Sequence, residues 1–534
     1  MTAPAGFVAA GSRRAALATV LAVLFLTFLD TTIVSVTLGD LEGDLSAGVI
    51  PLQWVINAYS LVFASLMLVG GSLADRWGRQ RMMLAGIAVF CIGSAMCALA
   101  GGVAMVIAGR AVMGVGAAAS EPGTLSIIRQ LYPDRRARAR ALGAWSAVSG
   151  LALALGPVVG ALLVGAGDWR SVFWFNLALG LVLLLAVWGW VPDSRDPQPG
   201  GVDLAGFGVG TAGIFCVVFA GISGEYQGYR TWWVVALFLI GAAALLTFGP
   251  LEARVHTPML DPRLLRPPIV RAALFAAFAV YFGVFAIFFL TALYLDVGLH
   301  YSGWKLAGMF APMAAAIVLG GVLTGPWVAR RGSRIPIVIG CAVAAAGMVL
   351  ARVEVGAGAL SFPLLALALA LAGLGFGVTV VPLTSAVLTH IPARHSGIAA
   401  SLTNTARQLG AVVGVAALGA VVNAHLRDEV ERTFGSPLLA GPREDVLRIL
   451  ETGGSAGAFD INRIPANFIV AFRDGLQVSL LVATVLIVLA GVAAALVREP
   501  PPVDDDGELT RPEQPPRQPD PRRRPRRAPA PRSG

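Results

Sequence analysis

Four ionisable side chains stand inside long apolar runs of this 534-residue chain: Asp30, Arg110, Glu121 and Arg407. A charge at the centre of a membrane helix costs about 2.5–3.5 kcal/mol on insertion scales, so residues of this type are rarely kept without a task. Asp30 must face a wet cavity or a cation. There it can hold and release a proton, or it can fix helix packing through hydrogen bonds. Arg110 stays charged in any surroundings. At a depth compatible with Asp30 it can keep that acid ionised and compete for it with a proton or a cationic ligand, or it can serve as a polar tie between helices. Glu121 follows Arg110 by eleven residues, which is about 20° around an α-helix and roughly 16 Å along it, so the two share nearly one face. Its carboxylate can take a proton or select a cation; alternatively Pro122 breaks the helix and Glu121 satisfies the freed backbone groups. Arg407, followed by Gln408-Leu409-Gly410, either meets an acidic or polar ligand or binds backbone carbonyls and snorkels.

A second group is built for close approach. The turn Gly71-Ser72-Leu73-Ala74-Asp75-Arg76-Trp77-Gly78-Arg79-Gln80-Arg81 holds glycines, one acid and three arginines between two apolar runs. Asp75 is expected to cap the helix that follows, since acids favour helix N-termini, with Arg76 and Arg79 clamping neighbouring helix ends. Gly150, Gly156, Pro157 and Gly160 allow close helix contact and a kink, or reflect ordinary glycine use in membrane helices. Trp54 and Asn57 are candidates to line a cavity with Glu121 and Arg407. Cys91, Cys97, Cys216 and Cys341 fall in apolar segments with no close pair, and the histidines are scattered, so neither metal nor cofactor is expected.

Helices must position these groups. The chain is 56% apolar and 13% charged, with mean hydropathy +0.75, which excludes a soluble domain. About 20 apolar residues cross a bilayer, and the sequence offers spans at 17–39, 51–74, 82–100, 103–127, 141–165, 171–191, 203–224, 232–250, 270–293, 305–328, 335–352, 361–389, 397–423 and 470–497. The first is too long, and lacks the small-residue site, for a cleaved signal peptide. Arginines mark alternate loops: Arg13 and Arg14, Arg76 to Arg81, Arg129 to Arg140, Arg254 to Arg271, and Arg330 to Arg334. The net charge of +9 therefore follows topology and does not point to nucleic acid. Both termini are expected in the cytoplasm of a cell whose cytoplasmic membrane holds the protein. Asp296 and Glu225 then fall at outer helix ends, as interfacial residues.

An internal echo divides the chain. Gly71 to Gly78 matches Gly325-Pro326-Trp327-Val328-Ala329-Arg330-Arg331-Gly332 with the same glycine spacing, as expected of repeated halves. Aligning the two leaves spans seven and eight unmatched. The expected organisation is a six-helix bundle over 1–192, an inserted pair over 203–250, a second six-helix bundle over 258–497 with an outer loop at 424–469, and a tail over 498–534. The tail, rich in proline and arginine, cannot build a core and is expected to be disordered. Its arginines either meet anionic lipid or stay solvated.

Several segments in order carry a resemblance: Leu29-Asp30-Thr31-Thr32-Ile33-Val34, the turn at 71–81, Arg110-Ala111-Val112-Met113-Gly114-Val115-Gly116, the run from Gly150 to Gly160, and Trp169-Arg170 with Asn176. Over residues 15–497 the chain resembles the fourteen-span drug:proton antiporter family of the major facilitator superfamily. The resemblance implies an all-α integral membrane fold of two six-helix bundles plus two extra central helices. It assigns Arg110 to proton transfer, the turn at 71–81 to a latch on the cytoplasmic side, and the glycine–proline run of span five to an exporter signature. Departures are Ser35 for asparagine, no proline near Gly39, Met113 for glutamine, Ala161 for glycine, Asp296 for glutamine, and Glu121 at an apolar position. They bear on substrate more than on fold.

The expectation is a proton-coupled exporter of drugs or other small amphipathic or cationic molecules, working by alternating access, with Asp30, Arg110 and Glu121 in proton coupling. The alternative is a dedicated exporter of one endogenous metabolite: an antibiotic, a siderophore or a lipid precursor. An integral-membrane enzyme or sensor is disfavoured, because the sequence has no metal cluster and no Gly-x-x-x-x-Gly-Lys-Ser/Thr loop. The expected partners are the transported molecule, protons and lipid, not nucleic acid, and one chain is expected to suffice.

Overall fold

Apolar segments of this length fold as helices because hydrocarbon offers no partner for an open peptide group, and a helix satisfies its own. The computed structural model describes residues 10–45, 47, 49–194, 203–255, 258, 260–295, 299, 301, 303–357, 360–434 and 466–498. Among them there is no strand, and thirteen helices are long and apolar enough to cross a membrane. The residues from 499 on, the stretch 435–465, Asp296 and the side chain of Glu225 lie outside the described residues.

Six long helices pack on one another in the first half: α1 (Ala10–Ile33), α3 (Val49–Trp77), α4 (Arg79–Ala98), α5 (Val103–Leu131), α6 (Arg135–Ala166) and α7 (Arg170–Trp190). Next come α8 (Leu204–Gln227) and α9 (Trp232–Glu252), which pack on each other; α8 also touches α3 and a helix of the second half. That half holds α10 (Pro268–Leu293), α11 (Gly303–Arg331), α12 (Arg334–Gly356), α13 (Phe362–His390), α14 (Ser396–Phe434) and α15 (Ala466–Leu496), again packed together. The halves meet mainly along α6 with α11 and α3 with α14, and α5 also reaches α14.

Several boundaries differ from the sequence reading, and α1 already starts at Ala10 rather than 17. The first span is not one helix to 39: α1 yields to a 3-10 turn (Val34–Thr37) and a short α2 (Leu38–Leu45). There Ser35 and Thr37 donate to carbonyls three residues back, Thr32 O at 2.7 Å and Val34 O at 2.8 Å, a local bond that competes with regular helix. Span five starts at Arg135 and not 141, because Asp134 caps it, accepting from Ala137 N at 2.7 Å. Its arginines thus lie on the first turns of a helix rather than in a loop. Finally, α14 runs to Phe434 instead of 423, helped on its polar extension by Glu429 and Arg432, 3.6 Å apart at helical spacing.

The echo has a backbone counterpart. Gly78 and Gly332, the last glycines of the two copies, have φ of 112° and 78°. Only glycine holds such angles without strain, and each lets one long helix turn at once into the next.

Candidate functional site

The polar residues gather in three places. In the first half, α1 carries Asp30 and α5 carries Arg110, both fully buried, with Nη1 to Oδ2 at 2.5 Å. The other carboxylate oxygen accepts from Asn176 Nδ2 on α7 at 2.7 Å. Arg110 also donates from Nε to Val55 O at 3.0 Å and lies over the Tyr59 ring, 4.5 Å from its centroid. Tyr59 in turn donates to Thr27 O at 3.1 Å. Four helices therefore meet at the Asp30–Arg110 pair. Such a buried pair is balanced finely, since taking two charges out of water costs nearly as much as their attraction returns. A proton arriving at Asp30 would cancel one side of that balance.

The second place lies between the halves. Glu121 on α5 accepts at Oε2 from Asn404 Nδ2 on α14, at 2.6 Å. Asn404 Oδ1 accepts from Arg407 Nη1 at 3.0 Å, and Arg407 Nη2 donates to Thr384 Oγ1 at 2.5 Å and Val380 O at 3.3 Å on α13. The guanidinium carbon stands 5.5 Å from the Trp145 ring and 5.6 Å from the Tyr281 ring. The helix α5 runs unbroken through Pro122. Glu121 is therefore no cap for a helix break: its carboxylate reaches across to the other half. Arg407 does bind a backbone carbonyl, but inside the protein rather than at an interface.

The third place is the turn after α3, and it corrects an expectation. Asp75 does not cap α4, whose N-cap position is taken by Gly78. Its Oδ1 accepts from Gly397 N at 2.9 Å and its Oδ2 from Ile398 N at 3.0 Å. These are the open amides at the start of α14, where a helix dipole favours an anion. Arg79 grips the same carboxylate at 2.9 Å and donates to Ala393 O at 3.0 Å; Arg129 donates to Ile391 O at 2.7 Å. Arg76 is half-buried. The helices touch because both faces are bare: a Cβ on Gly71 would overlap Ser401 Oγ and Gly397 O. At the Asp75 end, the two halves are closed on each other.

A model of the Major Facilitator Superfamily matches residues 20–415. The chain belongs to the major facilitator superfamily. The multidrug resistance protein Stp of Mycobacterium tuberculosis is 30% identical over 484 residues, 88% of this chain and 89% of Stp. The methylenomycin A resistance protein of Bacillus subtilis is 33% identical over 417 residues, 76% of this chain and 87% of that protein. The structure of the human organic anion transporter MFSD10 aligns with a TM-score of 0.60 at 16% identity, covering 89% of this chain and 99% of that one, a likeness of fold. The chain is thus a multi-pass, all-helical transporter of this superfamily, with multidrug and antibiotic resistance proteins among its relatives.

The remaining candidates of this major facilitator chain spread widely. Gly156 and Gly160 face α1 and the 3-10 turn: a Cβ would overlap Thr32 Oγ1 at the first and lie 2.8 Å from Ile33 O at the second. Gly150 faces the other half, with Val318 Cγ2 3.4 Å from its would-be Cβ. The side chain of Pro157 lies outside the described residues. Trp54 sets its ring 5.6 Å from Phe219 on α8, in an apolar cluster that also holds Leu409 and Val412 of α14. Asn57, one turn on, is half-buried. Five side chains in contact with these groups were missed: Tyr59, Trp145, Tyr281, Thr384 and Asn404. Asn404 had a signal, being three residues before Arg407 and so on its helix face.

Proposed function

We propose that this protein is a proton-coupled exporter of drugs or other small amphipathic or cationic molecules, spanning the cytoplasmic membrane fourteen times with α6 as the span beyond the thirteen counted above. Both termini and the Asp75 end face the cytoplasm, and the two six-helix halves rock about a central site, open alternately to either side. The observation that carries the reading is the buried Asp30–Arg110 pair with Asn176 as its third member. Protonation of Asp30 from outside frees Arg110 from its counter-charge and changes what holds α1, α5 and α7 together. The Asp75 group latches the outward-open state, and its release exposes the site to the cytoplasm. A membrane potential of ~100 mV adds about 2.3 kcal/mol per charge moved inward, close to fiftyfold in concentration before any pH term.

A second reading, export of a single compound, is favoured by the relative named for methylenomycin A resistance. Susceptibility of a pump-deficient host expressing the chain, over a broad panel of antibiotics and dyes, separates the two: many compounds for the first, one for the second. Drive is tested in inverted vesicles without ATP. Accumulation should stop when the proton gradient is collapsed, and accumulation that persists would overturn the proposal.

A further inference from the structure

Two charged side chains on the helices that join the halves each keep a buried polar atom without a hydrogen-bond partner among the described residues: Glu121 at Oε1 and Arg407 at Nε. Their residues are 1% and 4% exposed. A buried group left unmet costs about 1–3 kcal/mol, and more when charged, so native proteins keep few without a reason. These two have opposite charges and sit on helices of opposite halves, with a single amide, Asn404, spanning them. Each charged head thus keeps one bonding position open. A ligand filling both must bring a donor to Glu121 and an acceptor to Arg407.

Charge bookkeeping narrows the ligand further. Arg407 is joined to Glu121 through Asn404, and with Glu121 ionised the pair sums to zero. Asp30 and Arg110 also sum to zero. A permanent cation seated at Glu121 would meet the guanidinium as well, and in a water-poor site that repulsion is strong. The rings of Trp145 and Tyr281 flank Arg407, and such faces suit flat aromatic ligands.

We infer that Glu121 and Arg407 form one bipolar subsite, which takes small aromatic molecules of no net charge, neutral or zwitterionic, that carry an amine or hydroxyl donor and a carbonyl or carboxylate acceptor. The inference rests on the export reading and narrows its substrates away from bare cations. It also gives Asn404 a part: the amide holds the two heads in register while the subsite is empty.

Two dyes of one scaffold test it. Rhodamine 110 carries a free carboxylate and is zwitterionic, whereas its methyl ester, rhodamine 123, is a cation. Fluorescence polarisation with the purified full-length protein should show the acid binding about tenfold tighter than the ester, a difference of about 1.4 kcal/mol. Arg407→Gln leaves Glu121 unbalanced and should reverse the order. Glu121→Gln should weaken the ester more than the acid and widen the gap. Arg407→Lys keeps the charge and should keep the order, which separates an effect of charge from loss of fold. Ratios that stay fixed in both glutamine variants, or move in the same direction, overturn the subsite. Binding needs no proton drive, so the two readings fail separately. Dyes that bind in the stated order but are never moved by a proton gradient leave the subsite and sink export; dyes moved at unchanged ratios do the reverse.

Discussion

Asp75→Asn should loosen the contact between the halves at the Asp75 end, and the structure sets the size of the effect. The carboxylate accepts two bonds from α14, at 2.9 and 3.0 Å, and two from Arg79, both at Oδ1. The Arg79 bonds lie within their own half and survive opening, so they largely cancel between closed and open states. The two bonds to α14 do not. A hydrogen bond to a charged group is worth about 1.5–3 kcal/mol, and a neutral one about 1. Asparagine keeps one acceptor oxygen without the charge, so the closed state should lose about 2–5 kcal/mol relative to the open one. That corresponds to at least roughly 30-fold in the ratio of the two. Spin labels at Trp77 and Ile335, exposed residues on opposite halves, report this ratio through their distance distribution. A substituted protein with the distribution of the wild type would refute the claim that Asp75 holds the halves together.

Gly71→Ala should move the same distribution in the same direction, and at least as far, since its methyl group would occupy the space of Ser401 Oγ and Gly397 O; an unchanged distance would show that the helices yield. Asp30→Asn and Arg110→Ala should each abolish pH-driven transport in vesicles while the protein still inserts. Each removes one member of a buried pair, a loss of about 3–5 kcal/mol in comparable sites, so a lowered melting temperature should accompany the effect. Normal pH-driven transport in both variants would reduce the pair to a structural tie.

Much of the architecture was legible because a bilayer imposes a strong rule: apolar segments of sufficient length become helices. The pairing of Asp30 with Arg110 was legible for the same reason, as a charge in hydrocarbon needs an opposite one. What the sequence hid were relations over long separations. Asp75 reads locally as the cap of the next helix, but Gly78 takes that position with a positive φ, and the carboxylate is left to α14, 322 residues away. For Glu121 the sequence leaves a cavity-facing carboxylate and a local repair at Pro122 side by side, and only the packing of α5 on α14 reveals Asn404 as its partner. The contact of Trp54 with Phe219 was hidden as well, since it joins helices more than 160 residues apart.

The two copies of the glycine-flanked turn are not equivalent. Where the first has Asp75, the second has Ala329. Correspondingly, α6 begins on its own Asp134, whereas the first amides of α14 are met by a residue of the opposite half. Opening the Asp75 end must therefore hand the amides of Gly397 and Ile398 to water, while those of α6 keep their cap throughout. Under the exporter reading, the deuterium uptake of these two amides becomes a label-free record of the transport cycle. It should be slow while the halves are shut, fast while they are apart, and have no counterpart at the start of α6.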